Sequence, residues 1–151
     1  MDLEVEKVAK KKLVSALFAS SLFFAASNAQ SIKADKVPAS VKSALQKKYA
    51  DAKDVQWEKE KGNYEANWGG MTREDTSATF SPAGAFIELI AAIPMSQLPN
   101  SVVPYVKSHY KGITIKNAGK GKDAKGTLFY EAEIKGKDLI FNENGDFIKE
   151  D

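Results

Sequence analysis

Thr127-Leu128-Phe129-Tyr130-Glu131-Ala132-Glu133-Ile134-Lys135-Gly136-Lys137-Asp138-Leu139-Ile140-Phe141-Asn142-Glu143-Asn144-Gly145-Asp146-Phe147-Ile148 decides the fold class. Leu128, Tyr130, Ala132 and Ile134 alternate with Phe129, Glu131, Glu133 and Lys135, the period of two of a half-buried strand. Gly136-Lys137 and Asn144-Gly145 put glycine where a tight hairpin turn needs positive φ. The stretch reads as three antiparallel strands joined by two turns.

The same pattern extends upstream. Residues 54–60 read as a strand with Val55 and Trp57 on one face and Gln56 and Glu58 on the other. Lys61-Gly62-Asn63 turns it into a second strand that carries Tyr64, Ala66 and Trp68 opposite Glu65 and Asn67. A polar loop over 69–75 leads to a strand over Thr76–Phe80. Ser81-Pro82-Ala83-Gly84 has the proline and glycine placement of a type I turn. Residues 85–93 form a longer strand, apolar on both alternations through Phe86, Ile87, Leu89, Ile90 and Ile93, as a strand covered on both faces requires. Two amphipathic helices are expected, each opened by an apolar-proline pair. Val37, Val41, Ala44, Leu45 and Tyr49 stripe the first, and Leu98, Val102, Tyr105, Val106, His109 and Tyr110 the second. With Ser101 as N-cap, Pro104 falls in the first turn, where a missing N–H costs nothing. Ile113 to Lys116 reads as a strand, and Asn117 to Gly126 as a basic, solvated hairpin loop.

The two halves repeat. Pro38 and Pro99, Tyr49 and Tyr110, Phe80 and Phe141, and Phe86 and Phe147 are each 61 residues apart. Length differences fall in turns, as a structural repeat would show. The expected organisation is an α+β tandem repeat in which each unit is one helix over a four-stranded antiparallel meander. The units span 37–94 and 95–151, after a flexible lead-in over 30–36. A unit of about 60 residues is marginal alone, so the two sheets are expected to join or pack together, with the strand over 85–93 as the joint.

These residues carry a resemblance. Val37-Pro38 with Ser40-Val41, Asp54-Val55-Gln56-Trp57-Glu58-Lys59, Tyr64-Glu65-Ala66 and Phe80 with Gly84 resemble the PepSY-like, β-lactamase-inhibitor-like family of secreted bacterial proteins. Tyr130 to Asp138 and Phe141-Asn142-Glu143-Asn144-Gly145 look like its second copy. The resemblance implies tandem helix-plus-sheet units, export from a Bacteroidetes-type cell, and a binding or inhibitory role without catalysis. Likeness of fold alone does not transfer inhibition of a β-lactamase.

The leader fits export. Lys10-Lys11-Lys12 precede an apolar run from Leu13 to Ala26, and Ser27-Asn28-Ala29 offers small residues for cleavage after Ala29. The run is shorter than the ~20 residues that span a bilayer. Residues 1–29 therefore read as a signal peptide, with a periplasmic or secreted mature chain and no stable membrane insertion.

The 151 residues carry a net charge of +2, no cysteine and one histidine. Disulfides, thiolate chemistry and multi-histidine metal sites are excluded. Lysines interleaved with glutamates do not make a nucleic-acid patch. His109 has no identifiable nucleophile beside it, and its place on an apolar helix side reads as structural and buried or half-buried. No catalytic residue, cofactor or metal is expected. Glu131 and Glu133 share one strand face, with Glu65 at the matching place in the first half; this reads as a solvated face. Trp57, Tyr64 and Trp68 lie on one face, either as core under the first helix or as an aromatic recognition surface. Phe129 and Ile140 interrupt the charged face of the second half and, with Glu131, are candidate partner-binding residues. The leading reading is an exported, non-enzymatic binder of another protein, whose sharper form, implied by the resemblance, is an inhibitor or regulator of an envelope or extracellular peptidase or hydrolase; a small-ligand or glycan sensor using the aromatic face is the alternative.

Overall fold

The computed structural model describes residues 29–71 and 75–151. The expected leader, apart from Ala29, lies outside the described residues. The alternation noted above forms strands β1 (Gln30–Ile32), β2 (Gln56–Glu60), β3 (Asn63–Trp68), β4 (Thr76–Phe80), β5 (Phe86–Ile93), β6 (Asn117–Asp123), β7 (Leu128–Ile134), β8 (Lys137–Asn142) and β9 (Phe147–Glu150). Helix α1 spans Ala39–Lys48 and α2 spans Val102–His109.

The expectation of an α+β tandem repeat, two helix-plus-four-strand units whose two sheets join or pack together, is overturned. The strands form one nine-stranded antiparallel sheet in the order β1 to β9. Its continuity comes from β5 and β6, which pair from Glu88↔Asp123 to Ile93↔Ala118. That ladder removes two edges that separate sheets would leave with unpaired N–H and C=O groups. β1 extends the sheet further by pairing with β2 from Gln30↔Lys59 to Ile32↔Trp57, so the start of the supposed lead-in is a strand.

The segment before β7 also differs. Residues 113–116 are not a strand, and the Gly/Lys-rich stretch read as a solvated loop is β6, in the interior of the sheet. Polar composition hid it. Ala118 packs into the core, while Lys120 and Lys122 stay exposed.

Both helices cover the same face. Val41 and Leu45 of α1 pack with Val37, Trp57, Tyr64, Ala66, Ala78 and Phe80. Val102 and Val106 of α2 pack with Leu98, Ala118, Ala132, Ile134, Leu139 and Phe141. These are two distinct apolar clusters under one sheet. A matching latch fixes each helix start to a distant turn. The Ser40 hydroxyl donates to the Pro82 carbonyl at 3.1 Å, and the Ser101 hydroxyl to the Gly145 carbonyl at 2.8 Å. Ser101 therefore makes no side-chain cap to its own helix. Gly84 and Gly145 have positive φ at these turns, and a Cβ at Gly84 would lie 2.6 Å from the Ser40 carbonyl oxygen.

The helix-free face curls on itself. Lys61, in the turn between β2 and β3, places Nζ 3.4 Å from Asp151 Oδ1, just past β9. In a flat sheet, six spacings of about 4.8 Å would separate β3 from β9 by about 29 Å. Glycine on the inner side of β6 permits the bend. Gly121 pairs with Phe129, and a Cβ there would coincide with the Phe129 ring; one at Gly119 would lie 2.7 Å from Ile90 Cγ2. The ring of Phe129 thus occupies the space that a side chain on β6 would need.

Gly121→Ala is expected to lower unfolding free energy by about 1–3 kcal/mol through overpacking, and Phe129→Leu in the same chain to recover part of it. Urea unfolding of the three proteins measures this. A Gly121→Ala protein as stable as the parent would contradict the packing described.

Candidate functional site

The inner, helix-free face forms a trough. Antiparallel register places Glu65 of β3, Ser77 of β4, Glu88 and Ile90 of β5, Glu131 of β7 and Asp138 of β8 on this side. Two connected depressions of about 320 and 710 Å³ share Glu65, Ser77, Ile90 and Glu131 as common wall. The smaller one runs toward the Lys61–Asp151 pair and is lined by six carboxylates, Glu60, Glu65, Glu88, Glu131, Asp138 and Asp151, against two lysines, Lys61 and Lys149. The larger one ends at Asp75, Lys116, Asn117 and Glu133.

The curl changes the chemistry of these carboxylates. Burial raises Glu131 to about 8, and Asp138, Glu88, Glu65 and Glu133 push in the same direction. Burial raises Glu65 to about 7, aided by Glu58 and Glu60 and opposed by a hydrogen bond with Ser77. Asp138 rises to about 6, again first by burial and then by Glu133 and Glu60. Burial also raises Glu88, against the attraction of Lys149. Each group is penalised for ionising because water is displaced and like charges face it. The face read from sequence as a solvated strand surface is a half-enclosed site in which burial and neighbouring carboxylates raise one another's affinity for protons.

Of the candidate residues, Glu131 lies in the trough. Phe129 and Ile140 are on the same face but only 8% exposed each, so they do not form a protruding apolar pair. The Phe129 ring lies against the backbone of Gly121 in β6. Trp57 and Tyr64, 5% and 9% exposed, are core on the opposite face. Trp68 is half-buried there, its ring 5.5 Å from Tyr49. Their burial beneath α1 removes the aromatic recognition surface and with it the support for a glycan or small-ligand sensor.

His109 is exposed rather than buried. It stacks on Tyr105 at 3.9 Å, with Nδ1 2.9 Å from both the Tyr105 carbonyl oxygen and Ser108 Oγ. It sits on α2, across the sheet from the carboxylates. Among the described residues, no group of three or more His, Cys, Asp or Glu side chains is arranged to hold a metal ion.

Sequence reading missed Lys61, Ser77, Glu88, Ile90 and Lys149 as site residues. Alternation alone puts Ser77 and Ile90 on the face of Glu65 and Asn67. What no local pattern states is that the face bends until β3 and β9 share a cavity.

The sequence family described as "Putative beta-lactamase-inhibitor-like, PepSY-like" matches residues 25–88 and 70–149. The chain belongs to this PepSY-like family. Among solved structures it is similar to one from Bacteroides eggerthii described as "putative periplasmic proteins", at 18% identity and a TM-score of 0.58, covering 76% of this chain and 88% of that one. It is also similar to a BLIP-like protein from Bacteroides fragilis, at 20% identity and a TM-score of 0.53, covering 76% and 85%. At such identities the likeness of this PepSY-like chain to these structures is one of fold. No curated protein matches it.

The raised carboxyl groups set a pH dependence. The folded state of this PepSY-like protein holds protons on Glu131, Glu65 and Asp138 more tightly than the unfolded chain does. Their stabilising contribution is complete below the ordinary carboxylate value, 4.5 for Glu131, and is lost as pH rises through about 8. Thermal unfolding should therefore move to lower temperature between about pH 5 and about pH 9. Glu131→Gln should flatten this fall and gain roughly 1–3 kcal/mol at the alkaline end. Identical pH profiles for parent and variant would contradict the burial described.

Proposed function

We propose that this PepSY-like chain is an exported binding module of the bacterial envelope that holds a basic segment of another protein in its trough. The observation that carries the reading is the trough itself: six carboxylates and two lysines line its smaller depression. They stand in a concavity on the sheet face that neither α1 nor α2 covers. A lysine or arginine entering it would offset the burial and the like-charge repulsion that raise Glu65 and Glu131. The solved relative from Bacteroides eggerthii is described as periplasmic, in keeping with a cleaved signal over residues 1–29.

The reading is of binding rather than catalysis. His109, the single histidine of the chain, lies on the other side of the sheet and is engaged with Tyr105 and Ser108. The family description supplies a sharper form, in which the held partner is an envelope or extracellular peptidase or hydrolase and holding it is inhibitory. Under that form, the enzyme would present the basic segment near its own active site, and this chain would block access.

Capture from envelope extract with the immobilised protein tests the reading. A protein captured by the parent should be lost by at least about tenfold on Ser77→Arg, which fills the common wall and brings in a positive charge. Lys47→Glu, on the outer surface of α1, should leave capture unchanged. Equal capture by parent and Ser77→Arg, with both folded by circular dichroism, would overturn the trough as the binding surface.

A further inference from the structure

The sheet sorts its charges by side. Antiparallel register turns every carboxylate of β2 to β8 toward the trough. It turns every lysine of those strands, Lys59, Lys120, Lys122 and Lys137, toward the helices. β9 holds the two exceptions. Lys149 lies on the trough side, and Glu150, on the helix side, is tied to Tyr110 at 2.8 Å and to Lys137 at 2.6 Å. The helices continue the sorting. α1 carries Lys42, Lys47 and Lys48 and α2 carries Lys107, all exposed, and neither helix contains an aspartate or a glutamate. The segments flanking α1 add Asp35, Asp51 and Asp54 against Lys36 and Lys53, which leaves the excess of cations in place.

Packing accounts for part of this. A lysine lays its stem along apolar surface and keeps its ammonium in water. Lys48 and Lys120 do so, with Nζ 4.3 Å from the ring centre of Phe86 and 5.5 Å from that of Tyr130. Packing does not account for the outer surfaces of the helices. There Lys42, Lys47 and Lys107 face solvent, where glutamate has much the same helix propensity. A carboxylate in the first turn would also favour the helix dipole, yet neither helix has one there. The lack of carboxylates on this side is therefore not something the fold requires.

We propose that the helix side is a docking face for an anionic phospholipid surface, on which α1 and α2 lie with the trough turned away. Docking of this kind does not depend on what the trough holds.

The charges suit a plane better than a single acidic segment. They do not converge. Lys59 on β2 and Lys120 on β6 are four strands apart, about 19 Å along the sheet, and Lys107 stands beyond them on α2. The face is the outer side of the bent sheet and carries both helices, so a flat surface meets the two together. Val103, exposed one helical turn before Lys107, adds an apolar contact. Lysines near an anionic bilayer are attracted to it within a screening length of about 8–10 Å. A helix about 10 Å across, with the sheet behind it, keeps the trough carboxylates beyond that range. A net charge of only +2 gives little attraction in an arbitrary orientation, so the sorting of charge decides which side docks.

Co-sedimentation of the mature chain, from Gln30, with phosphatidylcholine vesicles containing about 30% phosphatidylglycerol tests this. The expected result is sedimentation at about 0.05 M salt that is lost at about 0.5 M and does not occur with phosphatidylcholine alone. Lys42→Glu with Lys107→Glu should weaken it at least about tenfold. Lys125→Glu with Lys135→Glu, in turns at the strand ends, changes net charge equally and should weaken it by less than about threefold. If circular dichroism shows the first pair unfolded, Lys42→Gln with Lys107→Gln replaces it, with a loss of at least about fivefold. The chain has no cysteine, so a fluorophore on Gln46→Cys, on the exposed side of α1, or on Ala92→Cys, at the trough, reads the orientation. Vesicles should shield the first from acrylamide and leave the second accessible. No sedimentation of the parent, equal losses in the two charge pairs, or shielding at Ala92→Cys rather than Gln46→Cys overturns the docking face. Retention on immobilised polyglutamate without sedimentation on vesicles overturns it in favour of an acidic polypeptide.

Discussion

Phe129 lying over the bare backbone of Gly121 is the contact on which the shape of this molecule depends. An ordinary side chain at either inner glycine of β6 would meet Phe129 or Ile90. With glycine there, the sheet can bend inward between its two helix-packed halves. The bend brings the turn at Lys61 to Asp151 and encloses carboxylates that a flatter sheet would leave in water. Desolvation then does the rest: it raises Glu131, Glu65 and Asp138 and converts a charged strand face into a proton-holding trough.

Much of the architecture was legible from alternation and turn chemistry. β4 falls on Thr76–Phe80 as read, and β7 to β9 follow the alternation and the glycine turns at 136 and 145. Both helices form within their apolar stripes. β6 was not legible, because Asn-Ala-Gly-Lys-Gly-Lys-Asp carries no large apolar residue and scores as a loop by composition. Its strand character is imposed from outside, by hydrogen-bonding neighbours on both sides. Propensity is a weak guide where tertiary pairing decides. Without β6, the strand over 85–93 has no visible partner in the second half, so the pattern offers two sheets that join or pack rather than the single sheet that β5 and β6 make.

The site was legible in part. Glu131 was singled out, and Glu65 was set beside it as its counterpart in the first half. The roles given to Phe129, Ile140, Trp57, Tyr64 and Trp68 rested on which face each occupies, and those faces are as read. Exposure is the quantity a face assignment does not contain. Phe129 and Ile140 are buried within the sheet's inner face and Trp57 and Tyr64 beneath α1, so neither apolar set offers the surface expected of it. The donors Ser40 and Ser101 keep the interval of 61 residues, and each fastens its helix to a turn of its own half, although the acceptor carbonyls, Pro82 and Gly145, are two residues out of step with it. Within the PepSY-like family this chain thus combines two similarly latched helices with one uninterrupted sheet.

Amide hydrogen exchange of the backbone over residues 117–123 tests the continuous, bent sheet most directly. The account predicts that amides bonded in the β5–β6 and β6–β7 ladders exchange as slowly as those of β3 and β4, despite the glycine- and lysine-rich sequence. Exchange at the rate of an open loop would contradict it, since without β6 in the sheet neither the bend nor the trough has a physical basis.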